Sequence, residues 1–595
     1  MRKTKKVLAL LLASAMTLSL AGCGSKTSTT EPTKAPEVTE AATEEPAATE
    51  APVATEAPAE VLEGNLEEIV PAETVTLNMY AQTANSQGVQ VGWFAEVLKE
   101  KFNVEINLIN EGDGVFSTRM ESGDLGDIVI FGDDSDQYKQ AASNGMLFNW
   151  EDEDLVATWG PYVNANMSSA LTKNKNITGT MYGFGYDVAV NGGDFGDFDY
   201  HPDIRWDLYQ AIGSPEINEL EDYVGVLKAM KEIEPTSDSG KETYGVSLFN
   251  DWDGNMVMFV KATATCFFGL DEFQFGFYDA DNGNFEGTLE DNGHYYRSLK
   301  FYNQLFQNGL VDPDSMTQGF AGMQEDYTDG AAFFNIFGWM AAPLYNTTEH
   351  KAAGKEMLPV AANNQDVLVY GLNPNGGNRV WTIGAKTQYP ELCMAIINWL
   401  STPEGSLTAF YGPKDVAWEY LPDGSVDLTD FGLKCKTESN VEMPAPYTGL
   451  WLEGNPQYSL TTWSLNTEIK GLNGQTYNYL FWPKYLSLPV SPAMETWREA
   501  TGAQSFKEYF SDKTYSISKA HAYSQSVRTD ELDTTWKQVA ECIKMGSWEA
   551  IYAKDDAEFE AIWTKMKADA VSYGYDACIE WSKAEAAARL ASEIQ

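Results

Sequence analysis

Strand-like and helix-like segments alternate through residues 74–132, and this alternation restricts the fold more than any other feature. Hydrophobic side chains recur at every second position of TVTLNMY (74–80) and NVEINLI (103–109), as in half-buried strands. Between them, VGWFAEVLKEKF (91–102) has hydrophobic residues at helical spacing. A further helical segment leads to DIVIFG (127–132), whose continuous apolar run is typical of a strand covered on both faces. The order β-α-β-α-β predicts an α/β fold with a parallel sheet.

The carboxyl ends of these strands are the expected place for a ligand, as in other parallel α/β sheets. The ends lie at Tyr80-Ala81-Gln82-Thr83 and at Gly132-Asp133-Asp134-Ser135. We therefore predict that Tyr80, Gln82, Asp133 and Asp134 line a ligand site.

The rest of the chain continues this mixture and is too long for one core. The patterns predict amphipathic helices at 217–233 and 294–316 and strands at 331–338 and 379–385. After about residue 495 the pattern is mostly helical. Because a single hydrophobic core rarely organises 595 residues, we expect at least two lobes or domains.

Charge and composition argue against several classes of function. A net charge of −47 repels phosphate backbones, so nucleic acid is a poor partner. The four histidines are far apart in the sequence and form no HExxH or HxH motif, so we expect no histidine-built metal site. Six cysteines without a CxxC pair indicate neither a zinc site nor a dense disulfide framework. Phosphate-loop and GxSxG motifs are absent, and no cofactor is predicted.

Two acidic features leave alternatives open. Carboxylates are so numerous that a glycosidase pair stays possible on counting alone. The stretch DADNGN (279–284) suggests a calcium loop, but its glycine comes one place too early for an EF-hand. A turn between two strands explains this stretch better.

Tryptophans in polar, glycine-bearing loops are the strongest sign of a ligand. Trp252 lies between Asp251 and Asp253, Trp339 follows a predicted buried strand, and Trp381 lies on another strand. An indole ring offers a flat apolar surface to the C–H face of a sugar, while carboxylates accept hydrogen bonds from its hydroxyls. We predict that these five residues contact a neutral, hydroxyl-rich ligand. The alternative for each ring is packing in a core or between lobes.

The N-terminus predicts export and anchoring. Basic residues precede an apolar stretch at 7–20 that is too short to span a bilayer comfortably, as in a secretory signal of residues 1–22. The residues LAGC (20–23) resemble the lipobox of bacterial lipoproteins, which implies cleavage before Cys23 and a diacylglyceride on its sulfur. Residues 23–72 are rich in Thr, Glu, Pro and Ala, and we expect a disordered linker with a reach of about 40 Å.

The order of several motifs resembles the extracellular solute-binding proteins of ABC importers, family 1. The resemblance covers most of residues 73–595 and rests on the lipobox, the acidic linker, TVTLNMY…GWFAEVLKEKF, SGDLGDIVIFG…QAASNGML, DGAAFFNIFGW, NGLVDPDSM and PELCMAIINWLSTPEGSLTAFYG. It implies a two-lobe, periplasmic-binding-protein-like α/β fold, each lobe a mainly parallel sheet flanked by helices, with crossover hinge segments around a cleft. By its place in the family motif, Trp339 is the clearest sugar-stacking candidate, followed by the Gly132–Ser135 loop.

The resemblance also implies boundaries, a function and partners. Lobe one is expected at 73–190 and 346–410, and lobe two with a helical C-terminal part at 191–345 and 411–595. The implied protein is a monomer, anchored through Cys23 to the extracellular face of a bacterial cell membrane. It binds a neutral oligosaccharide and delivers it to the permease subunits of an ABC importer, without catalysis. A surface-anchored glycoside hydrolase, or a binder of peptides or other solutes on the same fold, is the alternative.

Overall fold

A computed structural model describes residues 66–594 except positions 85, 113, 439, 470 and 471. The predicted signal peptide, Cys23 and the linker up to residue 65 lie outside the described residues. The folded body begins earlier than predicted, with a short 3-10 helix at Leu66–Glu68. Leu66 and Ile69 pack against the first core, so residues 66–72 belong to the folded body and not to the linker.

The secondary structure mixes strands and helices along the whole described chain. Its sixteen strands in the described residues are β1 (Val75–Ala81), β2 (Gly88–Val89), β3 (Val104–Asn110), β4 (Ile128–Phe131), β5 (Gly183–Gly185), β6 (Tyr200–Arg205), β7 (Leu270–Glu272), β8 (Gly276–Asp279), β9 (Phe285–Gly287), β10 (Phe334–Phe337), β11 (Met357–Pro359), β12 (Asp366–Tyr370), β13 (Val380–Ile383), β14 (Trp418–Tyr420), β15 (Val426–Leu428) and β16 (Thr514–Ser518).

The twenty-two α-helices of the same residues are α1 (Trp93–Phe102), α2 (Val115–Ser122), α3 (Asp136–Ser143), α4 (Leu155–Trp159), α5 (Pro161–Asn166), α6 (Ser168–Thr178), α7 (Trp206–Ala211), α8 (Asp222–Ile233), α9 (Met258–Phe268), α10 (His294–Gln307), α11 (Phe320–Thr328), α12 (Ala342–Tyr345), α13 (Thr348–Ala352), α14 (Pro390–Ser401), α15 (Pro403–Tyr411), α16 (Asp430–Thr437), α17 (Pro483–Leu486), α18 (Pro492–Thr501), α19 (Phe506–Ser511), α20 (Asp530–Ile551), α21 (Asp556–Tyr573) and α22 (Tyr575–Ala591).

The first lobe is built on a six-stranded sheet in the order β2-β3-β1-β4-β13-β5. β1 pairs in parallel with both β3 and β4, which confirms the predicted β-α-β-α-β unit. β13 lies antiparallel between β4 and β5. Ile128 and Ile130 on β4 belong to one core cluster, and Val129 and Phe131 belong to another. A strand with apolar contacts on both faces explains the continuous apolar run of this segment.

The second lobe confirms the mixed α/β class but departs from the predicted parallel sheet. Its central sheet has the order β10-β6-β11, and both pairings are antiparallel. These strands are short and far apart in sequence, so no local β-α-β unit forms them. A separate pair, β12 and β16, is parallel.

The C-terminal helices complete the second core. Trp536 and Trp548 on α20 and Trp563 on α21 are buried in the cluster that also contains Phe334 of β10. The helix-rich end of the chain is therefore an integral layer of the second lobe.

The two cores divide the chain differently from the predicted boundaries. Residues 418–482 pack into the first core with β1 and β4, although lobe two was expected to start at 411. Residues 357–360 pack into the second core, although lobe one was expected to start again at 346. The apolar residues of these stretches have little periodicity. The sequence therefore did not indicate which of the two cores they pack into.

Two crossover segments run side by side between the lobes, at 188–199 and 370–377. The amide of Ala189 donates to the carbonyl of Asn373 at 3.1 Å, and the amide of Leu372 donates to the carbonyl of Asp194 at 2.8 Å. The amide of Gly371 also donates to the carbonyl of Ser518 at the end of β16. These backbone hydrogen bonds hold the two crossovers together. The chain passes between the lobes a third time after Trp482, the last residue of the first core, and enters the second core at Ala493.

Several smaller expectations can be compared with the described residues. The stretch DADNGN is the connection between β8 and β9, as the turn prediction states. All five cysteines of the described chain are free. Within residues 66–594 as described, no helix is long and apolar enough to cross a membrane. The same residues contain no group of three or more His, Cys, Asp or Glu that could hold a metal ion.

Candidate functional site

A cavity of about 960 Å³ lies between the two lobes. Residues of the first core, the second core and both crossovers contribute to its walls. This volume is at the upper end of the range that small-molecule sites occupy. The cleft is therefore large enough for a ligand of several rings.

Aromatic rings form a shelf on the second-lobe wall. The rings of Trp252 and Phe320 are stacked with centroids 4.5 Å apart, and those of Trp252 and Trp339 are stacked at 6.2 Å. All three residues line the cleft. Buried Phe249 meets Trp252 edge-on from below at 4.9 Å. The sequence placed Trp252 and Trp339 at a ligand site, and the structure brings both to the cavity.

A glycine lets the chain carry Trp339 past a buried histidine. Trp339 follows β10 after Gly338. A Cβ atom at position 338 would lie 2.1 Å from Nε2 of His201, which is buried and lines the same cavity. Position 338 must therefore be glycine for this approach of β10 to β6.

The two acids beside Trp252 support the shelf from behind and do not line the cleft. The Asp251 carboxylate accepts a hydrogen bond from the amide of Phe320 at 2.8 Å, at the start of α11. The Asp253 carboxylate accepts from the amide of Met258 at 2.7 Å and from Nε1 of Trp548 at 2.8 Å. Asp251 and Asp253 therefore hold the Trp252 loop against α9, α11 and α20, which differs from the ligand contact that the sequence suggested.

The end of β1 carries a hydrogen-bonded network beside the cleft. The Tyr80 hydroxyl donates to Glu111, and Nε2 of Gln82 donates to the Tyr80 oxygen at 3.0 Å. Oε1 of Gln82 accepts from the amide of Gly132 at 2.7 Å, which joins the ends of β1 and β4. The structure brings these two strand ends together as predicted, but it is Thr83, and not Tyr80 or Gln82, that lines the cavity.

The two acids after β4 also have structural partners. The Asp133 carboxylate accepts from the amide of Ser135 at 2.8 Å and shapes the turn before α3. Asp134 is buried, lies 3.3 Å from Nζ of Lys173 and accepts from the Ser524 hydroxyl at 3.0 Å. Burial raises the pKa of Asp134, and the Lys173 charge opposes this rise. Neither acid lines the cleft; Asp134 instead ties the first lobe to the segment after β16.

Trp381, which the sequence predicts to contact the ligand, lines the cleft from the first lobe but is a buried ring of the first core. It lies on β13, and its ring meets that of Tyr458 edge-on with centroids 5.3 Å apart. Its exposed fraction is 0%. Trp381 therefore forms the floor of the cleft, in contrast to the exposed shelf on the opposite wall.

Three carboxylates in or next to the first crossover were missed by the sequence reasoning. Asp187, Asp197 and Asp199 line the cleft. The Asp199 side chain is exposed to the cleft, but the protein around it displaces enough water to raise its pKa to about 7, with Asp197 adding to the rise. The same cause raises the pKa of Asp187 to about 6, against the opposing charge of Arg379. Asp187 also has a φ of 57°, a left-handed conformation that is uncommon for a residue other than glycine.

A first-lobe loop at 455–466 was missed as well. It contributes Asn455, Tyr458, Ser464 and Asn466, among others, to the cleft wall. Two backbone hydrogen bonds of 3.0 Å join it to the crossover: the amide of Val188 donates to the carbonyl of Thr462, and the amide of Ser464 donates to the carbonyl of Val188. Polar loop residues without periodicity gave no signal, because nothing in their spacing shows which lobe they join.

The sequence matches no protein-family model and no curated protein. The structure resembles solved binding proteins. Alginate-binding protein AlgQ2 has a TM-score of 0.59 and 16% identity, over 87% of this chain and 99% of that chain. The S. pneumoniae ABC-transporter substrate-binding protein FusA, in complex with kestose, has a TM-score of 0.55 and 17% identity, over 87% of this chain and 100% of that chain. An HMO-binding, ABC-transporter-associated solute-binding protein from Bifidobacterium longum infantis has a TM-score of 0.51 and 13% identity, over 87% of this chain and 99% of that chain.

The likeness extends over nearly the full length of each of these proteins and includes both lobes. At this level of identity it establishes the fold, and the predicted two-lobe class is confirmed. The chain therefore has the two-lobe fold of transporter-associated solute-binding proteins.

Proposed function

We propose that this protein captures an oligosaccharide in the cleft between its lobes and delivers it to an ABC importer. The observation that carries the proposal is the pairing of an aromatic shelf with polar groups across one cavity. Trp252 and Trp339 offer flat apolar faces, and Asp187, Asp199 and Asn455 offer hydrogen-bonding groups. Sugars present these two kinds of surface, a C–H face and a rim of hydroxyls.

The binding proteins that share the fold are named for carbohydrates or bound to them, namely alginate, kestose and HMO. Those names support the class of ligand proposed here. The proposal includes no catalytic step, in keeping with these neighbours.

A thermal-shift screen of the protein against defined oligosaccharides tests the proposal, followed by calorimetry on each hit. A ligand at 100 times its Kd adds about 2.7 kcal/mol to the free energy of unfolding, which gives a clear shift. A panel of di- and tripeptides serves as the control for other solutes. Binding of peptides and of no oligosaccharide would contradict the proposal.

A reducing-sugar assay on the same oligosaccharides addresses hydrolysis. The raised pKa of Asp199 is what a general acid needs, so this assay is a necessary companion to the screen. We expect no release of reducing ends over hours with micromolar protein. Turnover that is lost in Asp199→Asn would show a hydrolase instead.

We further propose that the mature chain begins at lipidated Cys23 and is anchored, as a monomer, on the outer face of the cell membrane. The LAGC sequence and the polar stretch after it support this. A two-chain lipid anchor binds membranes stably, whereas one chain alone binds marginally. Cys23→Ala should therefore move the protein from the membrane fraction to the soluble fraction or leave it unprocessed. A membrane-bound, processed Cys23→Ala protein would contradict the anchor.

A further inference from the structure

Lys436 is a cation in the cleft wall with an unusual environment. It lies on α16 and lines the cavity together with Phe410 and Trp451. Its Nζ donates to the carbonyl of Phe410 at 3.1 Å, near the end of α15. An ammonium group has three donors, so this contact uses one of them.

Three aromatic rings surround the ammonium group. Its Nζ lies 4.2 Å from the ring centre of Trp451, 4.8 Å from that of Tyr411 and 5.4 Å from that of Tyr479. Rings at these distances attract a cation and hold it in one place. The side chain is therefore fixed at the wall of the cavity and does not extend freely into solvent.

In the described part of the chain, no carboxylate forms an ion pair with Lys436. The group whose charge acts on its pKa is the Cys435 thiol. This is unexpected in a sequence with 87 acidic and 40 basic residues, where a lysine meets a carboxylate easily. Burial without a counter-ion lowers the pKa of Lys436 to about 7. Arg379, another cation of the cleft, differs because its charge acts on Asp187.

We propose that the ligand carries a carboxylate, as an acidic sugar residue does, and that Lys436 binds this group. The inference rests on the proposed function, since it concerns the ligand of the same cleft. A ligand carboxylate would act as the counter-ion of Lys436. It would also accept a charge-assisted hydrogen bond from the N–H groups of the ammonium that do not bind the Phe410 carbonyl. The neutral ligand that the sequence predicts would leave the cation unpaired.

The other charges of the cleft fix where the acidic residue binds. Asp197 and Asp199 lie in the first crossover and Asp187 lies directly before it, and each of them repels an anion when it is ionised. The groups that face Lys436 are the Tyr411 and Tyr479 rings, Trp451, the Phe410 carbonyl and the Cys435 thiol. We therefore place the carboxylate at Lys436 on α16, a cation of the cleft that forms no ion pair with a carboxylate of the described residues.

The experiment compares acidic sugars with neutral counterparts of the same skeleton. The probes are glucuronate and glucose, galacturonate and galactose, trigalacturonate and its methyl ester, and sialyllactose and lactose, each measured by calorimetry at pH 6 and pH 8.5. We expect at least one acidic member to bind ten-fold or more tightly than its partner at pH 6. The preference should shrink at pH 8.5 because Lys436 loses its proton. Asp187 and Asp199 lose theirs over the same range, so the share of this change that belongs to Lys436 is the share that is absent in Lys436→Met.

Lys436→Met is the decisive variant because it keeps the aliphatic stem and removes the charge. It should abolish the preference for the acidic member without abolishing binding of the neutral one. Lys231→Met is the control for loss of a lysine charge elsewhere. Lys231 also contacts a ring, that of Tyr244, and a backbone carbonyl, but it is paired with Glu242 and lies outside the cleft lining. This variant should keep the full preference.

A direct readout separates ligand contact from a structural role of Lys436. In protein labelled with ¹³C at lysine Cε, the acidic probe should raise the pKa of Lys436 by one unit or more, and the neutral probe should not. Equal binding of acidic and neutral members, or a preference that survives Lys436→Met, would overturn this inference while the proposed function stands. Failure of every sugar in both sets and in the wider screen would overturn the proposed function and this inference with it.

Discussion

The three rings of the aromatic shelf differ in how far they are buried in the second core. Trp252 is 39% exposed, whereas Phe320 is 8% exposed and packs within the second core. Trp339 lies between these cases, because it is partly buried against the same core through Phe337. Trp252 is therefore the residue at which ligand contact and folding can be separated most cleanly.

Trp252→Ala should weaken oligosaccharide binding by one to two orders of magnitude, about 1.5–3 kcal/mol, with a small change in melting temperature. Trp563→Ala is the control, since a buried indole of the same lobe should cost about 3–5 kcal/mol of stability and leave the affinity of the folded fraction unchanged. Calorimetry and thermal unfolding of both variants measure the two effects. A large fall in the melting temperature of Trp252→Ala with unchanged affinity would contradict the stacking role.

Asp199→Asn should stabilise the ligand-free protein slightly at pH 8, since the side chain is open to the cleft and partly screened by water, and have little effect at pH 4.5. The pKa of Asp199 is raised to about 7, so between its ordinary range and pH 7 the folded state holds a proton that the unfolded chain releases. The free energy of unfolding therefore loses this contribution as the pH rises through that window. Asparagine stays neutral at every pH, so the free energy of unfolding of the variant does not fall in this window.

Urea unfolding at the two pH values measures this difference. Glu499→Gln, at an exposed position on α18, is the control and should show no such pH dependence. An equal effect of Asp199→Asn at both pH values would contradict the explanation.

At the level of residues, the sequence brought Trp252 and Trp339 to the cavity, and their contact with a ligand stays a prediction. Trp339 comes shortly after the buried strand β10, and a residue at that place in the chain lies at the end of the sheet. Asp251, Asp253 and Asp134 have the chemistry of ligand-binding acids, but their carboxylates have partners within the protein. Asp251 and Asp253 accept hydrogen bonds from amide and indole N–H groups, and Asp134 is paired with Lys173. Nothing in a sequence distinguishes a carboxylate that caps a helix from one that faces a ligand.

At the scale of elements, the Trp252 loop depends on contacts with three helices. Asp253→Ala should lower the free energy of unfolding by about 2–4 kcal/mol, because it leaves the amide of Met258 and Nε1 of Trp548 without acceptors. Asp253→Asn, which keeps one oxygen acceptor, should lose less. Denaturant unfolding of the two variants measures the order. A variant that lost affinity with unchanged stability would instead mark Asp253 as a ligand contact.

Elements with strong local periodicity were predictable, and elements set by distant pairing were not. β1, α1, β3 and β4 follow from hydrophobic spacing, and their parallel order follows from the alternation. β6, β10 and β11 are three to six residues long, and their antiparallel pairing joins residues more than a hundred positions apart. The 455–466 loop has no periodic pattern, so neither its lobe nor its place in the cleft could be inferred from spacing.

At the scale of the molecule, two separate cores joined by crossovers favour a hinge motion. We predict that a tight ligand closes the cleft, because the backbone bonds between 188–199 and 370–377 can stay intact while the lobes turn about them. Small-angle scattering should show a smaller radius of gyration with a saturating oligosaccharide. Trp252→Ala is the control and should stay mostly open at a ligand concentration just sufficient to saturate the unsubstituted protein. An unchanged radius for the saturated protein would exclude closure.

The central place of β13 constrains how the chain can fold during synthesis. Thr382 on β13 donates its hydroxyl to the carbonyl of Val129 on β4, 253 residues earlier in the sequence. Until β13 arrives, one edge of β4 has no partner, and the six-stranded sheet is incomplete. Pairings of such long range form slowly, so the first-lobe sheet of an emerging chain stays incomplete for many seconds of translation. This delay would serve the export proposed above, because the first lobe cannot close before β13 at Val380–Ile383 has left the ribosome.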